Sequence, residues 1–323
     1  MSKLVQMQEL KASALLLTAL LTLTGCASEA PAAPTTSSAA PQVTQEPEPE
    51  PVYETAALTG VSYLEGENPY LAMPAVSAKI DNTSSGRPQL ALNDADIVYV
   101  TRVEVGLTRL LPVWHSRMPE SIGPVRSVRP VDAAIVDPFH GVFVFSGGQV
   151  PFKNAANATG LVISDEDTQM NNDTYYREKG RKAPWNLYFK AQDLQALYAD
   201  QQPSPQAGFA FDAIPTAVSE GVVAKGLSVK YPQMRSVWDL GTASFPWAEA
   251  LQTAWLRSQD GTPHTQVGGD QVAAKNVVVM EVCLLYTSDA ADDSLRVDLG
   301  GRRIIKKYSK HAAGASCGCI VRV

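Results

Sequence analysis

Charged and amide side chains stand beside the ends of several predicted strands in this chain. Guanidinium groups form bidentate hydrogen bonds with carboxylates and phosphates, and carboxylates can act as general acids or bases. We therefore treat ten such residues as candidates for binding an anionic or sugar ligand, without assigning a catalytic residue. They are Asp81, Asn82, Arg87, Asp96, Glu104, Arg109, Arg126, Arg129, Arg181 and Asn186.

Two arginines of this set are hard to explain as ordinary surface residues. Arg126 and Arg129 lie between Pro124 and Pro130 in an otherwise apolar segment. Burial of their charge costs free energy unless carboxylates or a ligand meet them. Two interpretations stay open, namely internal pairing with Asp81, Asp96 and Glu104, or a pocket for a carboxylate, phosphate or sugar. These carboxylates are the three acidic members of the candidate set.

The remaining candidates also have structural interpretations. Asp81 and Asn82 at a strand end are typical of an Asx-turn. Glu104 and Arg109 are close enough in sequence to form a structural ion pair. The pair Gly147-Gly148 after a strand indicates a tight turn more often than an anion-binding loop.

Common catalytic and cofactor motifs do not occur in residues 1–282. This part of the sequence contains no G-x-S-x-G, H-E-x-x-H, Walker loop or G-x-G-x-x-G. The histidines are scattered, so we expect no metal and no cofactor. Two classes of function remain: a ligand-binding or scaffolding protein of the cell envelope, which we favour, and an enzyme on an envelope polymer. The enzyme would use Asp81, Asp96 or Glu104 as acid and base, with Arg126 and Arg129 holding an anionic group.

Hydrophobic patterns predict the elements that position these residues. Strand patterns alternate with helical ones, which predicts an α+β (or α/β) fold built on a sheet. A Gln/Pro-rich break at residues 201–206 separates an N-terminal α/β domain, 57–206, from the start of a mostly-β C-terminal domain, 207–282. The predicted strands are 75–80, 95–105, 107–114, 141–145, 227–231, 236–240, 254–258 and 276–282, and the predicted helices are 131–139 and 191–199.

The first 56 residues predict where the protein resides. Residues 1–25 have a basic start and a short apolar run, which is typical of an export signal, and residues 23–26 resemble the lipobox of bacterial lipoproteins. We therefore expect lipidation of Cys26 by acyl chains such as palmitate, which anchors the protein to the extracytoplasmic face of the cell membrane. Residues 26–56 are rich in Pro, Ser, Thr and Glu and predict a disordered stalk.

The last 41 residues do not resemble the sequence that precedes them. Possible codons for residues 283–292 and 297–305 resemble the two ends of a common short-read sequencing adapter. We interpret residues 283–323 as an adapter-derived artefact that should not pack, and the C-terminal domain as truncated. Cys26 is then the one cysteine to consider, which excludes a disulfide and a Cys-based metal site.

The net charge of the mature chain limits the classes of partner that are expected. The whole chain has 27 Lys and Arg and 33 Asp and Glu. The signal contains two basic residues and one acidic residue, and the last 41 residues contain seven basic and four acidic ones. The rest of the chain therefore has 18 basic and 28 acidic residues, a net charge of −10. An acidic chain argues against nucleic acid as a partner. The expected partners are the membrane, through lipid on Cys26, and an envelope polymer or protein.

Several short segments together resemble the YerB-like family, which is catalogued as bacterial lipoproteins with a domain of unknown function. The likeness extends from about residue 58 to residue 282, and this chain has Val100 and Trp185 where a Glu and often a His are expected. The resemblance implies the lipid anchor and the two-part layout, and it implies no reaction. The segments that carry it are IDN with RPQ, ADIVY, TR, IGPVRSVRP, RKAPWNLY and AKNVVV.

Overall fold

The computed structural model describes residues 50–166, 173–211, 223–245, 248–283 and 316–322, with the backbone alone at 281–283 and 316–322. The predicted signal and most of the predicted stalk lie outside these residues. The described residues from Glu50 onward form one compact unit that is rich in β-sheet.

Eighteen strands and three α-helices make up the described part of the chain. The helices are α1 (Asp132–Val136), α2 (Val150–Asn157) and α3 (Ala191–Leu197). The first nine strands are β1 (Tyr53–Thr55), β2 (Ser62–Leu64), β3 (Val76–Ala78), β4 (Ile80–Asp81), β5 (Ile97–Arg102), β6 (Thr108–Trp114), β7 (Ser121–Ile122), β8 (Val142–Phe145) and β9 (Val162–Asp165). The others are β10 (Tyr175–Arg177), β11 (Leu187–Lys190), β12 (Gly226–Lys230), β13 (Arg235–Ala243), β14 (Gln252–Gln259), β15 (Thr262–Pro263), β16 (Ala273–Ala274), β17 (Val277–Cys283) and β18 (Ser316–Arg322).

A mixed sheet of eight strands forms the centre of the unit. Its order is β17-β18-β5-β6-β3-β8-β9, with β4 beside β6. Strands β3, β8 and β9 are parallel, and α2 is the crossover between β8 and β9, because parallel neighbours need a long connection. The predicted strands and helices of this region are present, with bounds that differ by a few residues.

Both faces of the central sheet are buried at its inner strands β3, β5, β6 and β8. Alternate residues of a strand point to opposite faces, so Val142 and Val144 belong to one apolar cluster and Phe143 and Phe145 to the other. Val136 of α1 lies in the cluster with the two phenylalanines. A continuous apolar run such as that of β8 is typical of a strand covered on both sides.

The later strands form a second, antiparallel sheet. Its order is β12-β13-β14-β15, with β16 also paired to β14. Trp238, Val272 and Ala274 from this region belong to the same apolar cluster as Val142 and Val144. The second sheet therefore shares a core with the central sheet, across the domain boundary that the sequence predicts.

The tail segment Ser316–Arg322 is a strand of the central sheet. As β18 it pairs antiparallel with both β17 and β5. The expectation that no part of residues 283–323 packs is therefore wrong for this segment, because β5 and β17 each present N–H and C=O groups that need a partner. The origin of its codons stays a prediction.

Candidate functional site

The charged candidates converge at one end of the central sheet. Asp81 on β4 and Thr101 on β5 both lie directly opposite Arg109 on β6, so the three side chains share a face. Residues 125–128 run alongside, with Arg126 N–H donating to the Lys79 carbonyl at 2.8 Å. We call Asp81, Glu104, Arg109, Arg126 and Arg129 the arginine cluster.

Two ion pairs form within the arginine cluster. Arg126 Nε lies 2.9 Å from Asp81 Oδ2, and Arg129 Nε lies 2.5 Å from Glu104 Oε1. The predicted pairing of Glu104 with Arg109 is wrong, because the turn after β5 directs Glu104 towards Arg129. Burial alone would raise the pKa of Glu104, but Arg129 holds it below the usual value.

Arg109 is the most buried arginine of the cluster and has no carboxylate within 4 Å among the described residues. It donates from Nη1 to the Ser127 carbonyl at 2.6 Å. Burial, together with the neighbouring Arg129 and Arg126, lowers the pKa of Arg109 to about 10. The three guanidinium groups thus share two carboxylates.

A buried ion pair that the sequence analysis missed lies beneath the cluster. Lys79 Nζ is 2.5 Å from Asp132 Oδ1 and 2.8 Å from Thr101 Oγ1, and both charged side chains are fully buried. Asp132 Oδ2 also accepts the backbone N–H of Arg129 at 2.7 Å, which fixes the segment that carries this arginine. A lysine within an apolar strand pattern was the available signal, since buried charge requires a partner.

The turn interpretation of Asp81 is confirmed, and the amide of Gly147 already has an acceptor within the chain. Asp81 Oδ1 accepts the backbone N–H of Thr83 at 2.6 Å, which is an Asx-turn. Gly147 has a φ of 69°, and its N–H donates to Asp165 Oδ1 at 3.1 Å. Because a carboxylate of the chain itself occupies this amide, Gly147 does not offer it to an anion.

The turn that holds Glu104 is strained. Val105 has a φ of 60°, a left-handed conformation that a β-branched residue rarely adopts, and its side chain is 73% exposed. The next residue, Gly106, lies against Pro232 so closely that a Cβ atom would meet the proline ring at 2.5 Å. The contact with Pro232 therefore fixes the turn, and Val105 adopts a costly conformation within it.

The loop between β10 and β11, residues 178–186, borders the arginine cluster on one side, and we call it the aromatic loop. The Arg126 guanidinium lies 5.9 Å from the centre of the Trp185 ring, within the range of a cation–π contact. Arg181 fixes the position of this loop by donating hydrogen bonds to the Arg87 carbonyl at 2.8 Å and to the Tyr188 hydroxyl of β11. The loop thus presents an aromatic face beside the most exposed arginine of the cluster.

A second polar group lies next to the aromatic loop. Glu166 accepts from Ser146 Oγ at 2.9 Å and pairs with Arg177, whose Nη1 donates to Asn186 Oδ1 at 3.0 Å. The backbone N–H of Ser146 donates to the Arg126 carbonyl at 3.0 Å, which connects this group to the cluster. Asn186 follows Trp185 in the chain and therefore lies near the arginine cluster. Its side-chain oxygen already accepts a hydrogen bond from Arg177.

Three candidates lie outside the cluster. Asp96 accepts the backbone N–H groups of His115 and Ser116 at 2.8 and 2.7 Å, which is a structural role at the other end of β6. Asn82 is buried and donates to Thr108 Oγ1 at 2.7 Å. Arg87 pairs with Asp260 at 3.3 Å.

No group of three or more His, Cys, Asp or Glu side chains among the described residues could hold a metal ion. No helix in that part of the chain is long and apolar enough to span a membrane.

The chain combines a mixed, sheet-rich core with this arginine cluster, and known proteins are similar to it. Residues 58–204 match the family described as "Protein of unknown function (DUF3048) N-terminal domain". The chain is 26% identical over 260 residues to "Putative lipoprotein YerB" of Bacillus subtilis (strain 168), covering 78% of this chain and 75% of that protein. The crystal structure of YerB from Bacillus subtilis matches with a TM-score of 0.54 at 21% identity, covering 70% and 73% of the two chains. The expected resemblance to the YerB-like family is confirmed.

Proposed function

We propose that this protein is a lipid-anchored protein of the cell envelope that binds an anionic group, a phosphate or carboxylate of an envelope polymer, at the arginine cluster. The observation that carries the proposal is the charge imbalance around Arg109. Four cations, the three arginines and Lys79, face three carboxylates, those of Asp81, Glu104 and Asp132. An added anion compensates the excess positive charge.

The geometry favours a group that can accept paired hydrogen bonds. The side chains of Arg126 and Arg129 remain 20% and 14% exposed beside their own ion pairs. Planar guanidinium groups recognise carboxylate and phosphate oxygens through two parallel N–H donors. Trp185 adds an aromatic face beside Arg126, which suits the apolar face of a sugar or a carbon backbone between charged groups.

The anchor rests on the N-terminal sequence and on the relative. Cys26 follows a short apolar run in the order expected of a lipoprotein signal. The Bacillus subtilis relative is itself named a lipoprotein. A lipid on Cys26 and a Pro-rich stalk would hold the folded part outside the membrane, beside envelope polymers.

The alternative of an enzyme receives less support. A general acid among the cluster carboxylates needs a raised pKa. The pKa of Glu104 is instead lowered, because Arg129 outweighs the effect of its burial. Glu104 therefore stays ionised and acts as a partner of Arg129 rather than as a proton donor.

Calorimetric titration of the full-length protein in detergent with two soluble polymers tests the proposal. The polymers are poly(glycerol phosphate) oligomers and polygalacturonate oligomers, which separate phosphate from carboxylate recognition. Arg126→Lys keeps the charge but loses the paired donors, so it should weaken binding about tenfold or more. Arg235→Lys, at an exposed arginine of β13, is the matched control and should bind like wild type. Binding of neither polymer, or equal affinity in the two variants, would contradict the proposal.

A further inference from the structure

The aromatic loop carries an excess of positive charge. It contains Lys179, Arg181 and Lys182 but a single carboxylate, Glu178, which gives the loop a net charge of +2. Residues 26–282 together have a net charge of −10. A positive loop on an otherwise acidic chain attracts anions to this one part of the surface.

The three cations of the loop are not neutralised by the chain itself. Among the described residues, none of them has a carboxylate within 4 Å. Lys179 and Lys182 are exposed. Arg181 is partly buried, and its guanidinium donates to two neutral groups, the Arg87 carbonyl and the Tyr188 hydroxyl. The two lysines are therefore accessible to an anion from solvent.

A hydrogen-bonded turn places Lys182 next to the arginine cluster. Arg126 Nη1 donates to the Pro184 carbonyl at 3.4 Å, and the Arg126 guanidinium lies 5.9 Å from the centre of the Trp185 ring. The Trp185 N–H donates to the Lys182 carbonyl at 2.9 Å, so the Cα atoms of these two residues lie within about 7 Å of each other. Lys182 is thus one turn of chain away from the residues that contact Arg126.

A second turn carries Lys179 further along the loop. The Arg181 N–H donates to the Glu178 carbonyl at 3.3 Å, and Lys179 lies within this turn. The three residues of chain from Lys179 to Lys182 span at most about 11 Å. Along the chain away from the arginine cluster, the accessible cations therefore follow in the order Arg126, Lys182 and Lys179.

An isolated anion at the arginine cluster would leave these two lysines unused, whereas a polymer carries further charges at regular intervals. On the basis of the proposed function, we propose that the envelope polymer continues from the arginine cluster along the aromatic loop. Its next anionic groups contact Lys182 and then Lys179. The ligand is therefore a run of charged repeats rather than a single charged group.

The two kinds of cation make different contributions to such a site. The planar guanidinium of Arg126 fixes the geometry of one anion, whereas the ammonium groups of Lys179 and Lys182 lie on flexible stems and accept anions in varied positions. Contacts of exposed lysines are individually weak and are screened by salt. The loop should therefore make affinity depend on the length of the polymer and on the ionic strength.

Calorimetric titration of the full-length protein in detergent tests this dependence on length. The ligands are oligomers of six units of poly(glycerol phosphate) and of polygalacturonate, and the single units glycerophosphoglycerol and galacturonate. Lys179→Gln/Lys182→Gln should weaken binding of the preferred oligomer about fivefold and leave binding of its single unit unchanged. Lys225→Gln/Lys230→Gln removes the same charge from two exposed lysines at β12 and should bind both ligands like wild type. The statistical advantage of six units is the same in every variant.

The salt dependence of oligomer binding gives a second readout. The association constant should fall less steeply with salt in Lys179→Gln/Lys182→Gln than in wild type or in the control, because fewer charge contacts are made. An oligomer affinity that this variant leaves unchanged, while the single unit still binds in a manner that depends on Arg126, would overturn the inference and leave binding at the arginine cluster intact.

Three other results would also contradict the extended site. An equal loss of oligomer affinity in Lys225→Gln/Lys230→Gln would show that net charge alone matters. Glycerophosphoglycerol is also the headgroup of an anionic lipid, and binding as tight as that of the oligomer would show that one phosphate suffices. Binding of neither the oligomers nor the single units would contradict the proposed function itself and, with it, this inference.

Discussion

Three ion pairs at the end of the central sheet differ mainly in how far water reaches them, and this difference predicts the cost of breaking each one. In the pair of Lys79 and Asp132 both side chains are fully buried. In the pair of Arg126 and Asp81 the carboxylate is 1% exposed, and in the pair of Arg129 and Glu104 it is 41% exposed. Removing a cation strands its carboxylate, and the cost depends on whether solvent can replace the lost partner.

Lys79→Met should be the most damaging of the three changes. It leaves Asp132 buried without a counter-ion, which costs about 3–5 kcal/mol and lowers the melting temperature by about 10 °C. Arg126→Ala should cost about 1–3 kcal/mol, because Asp81 keeps the Thr83 donors and the field of Arg109. Arg129→Ala should cost less than about 1 kcal/mol, since Glu104 can return to water.

Urea unfolding of the full-length variants, followed by circular dichroism, measures these differences. The double variant Lys79→Met/Asp132→Leu is the control, because replacing both partners removes the stranded charge and should recover most of the loss. The reasoning is refuted if Arg129→Ala costs as much as Lys79→Met, or if the double variant is no more stable than Lys79→Met.

Further predictions concern the strained turn, acid stability, the anchor and the tail. Val105→Asn should raise the melting temperature by a few degrees, because Asn tolerates the left-handed conformation and the valine side chain packs against little; an unchanged melt would argue against strain. Burial lowers the pKa of His115 to about 4 and that of His264 well below its usual value, so the unfolded state binds more protons below pH 6.5. Stability should therefore fall as the pH drops from 6.5 to 4, by about 3 kcal/mol for His115, and His115→Gln should flatten that part of the pH profile of urea unfolding. Cys26→Ser should remove the acyl mass in intact-mass spectrometry and release the protein from membranes washed in high salt, whereas equal retention would contradict the anchor. Resequencing the locus from adapter-free genomic DNA should give different codons for residues 283–323, and recovery of the same codons would show that the tail is genuine.

The sheet elements were predictable because their signals are local. Strand patterns at residues 107–114 and 141–145 and the helical pattern at 191–199 recur within a few residues of the predicted bounds. Each depends on apolar periodicity, which a buried sheet imposes directly on the sequence.

The pairing within the site was harder to predict because it depends on register and turns. That Asp81, Glu104, Arg126 and Arg129 satisfy one another was one of two open interpretations. The particular partners follow from the register of β4 with β6 and from the turn after β5, neither of which leaves a local signal. Lys79 within its apolar strand did give a local signal, but its partner Asp132 did not, since it lies 53 positions away in sequence.

The most direct test of anion binding at the arginine cluster follows the arginine side chains themselves. In the full-length protein with ¹⁵N-labelled arginine, the Nε–H resonances of Arg109, Arg126 and Arg129 can be assigned by single Arg→Lys variants and recorded during titration with inorganic phosphate. Binding predicts that all three resonances shift along one saturable curve with a common dissociation constant, while that of the exposed Arg235 stays unchanged. Resonances that never saturate, or that move no further than that of Arg235, would contradict binding at the cluster.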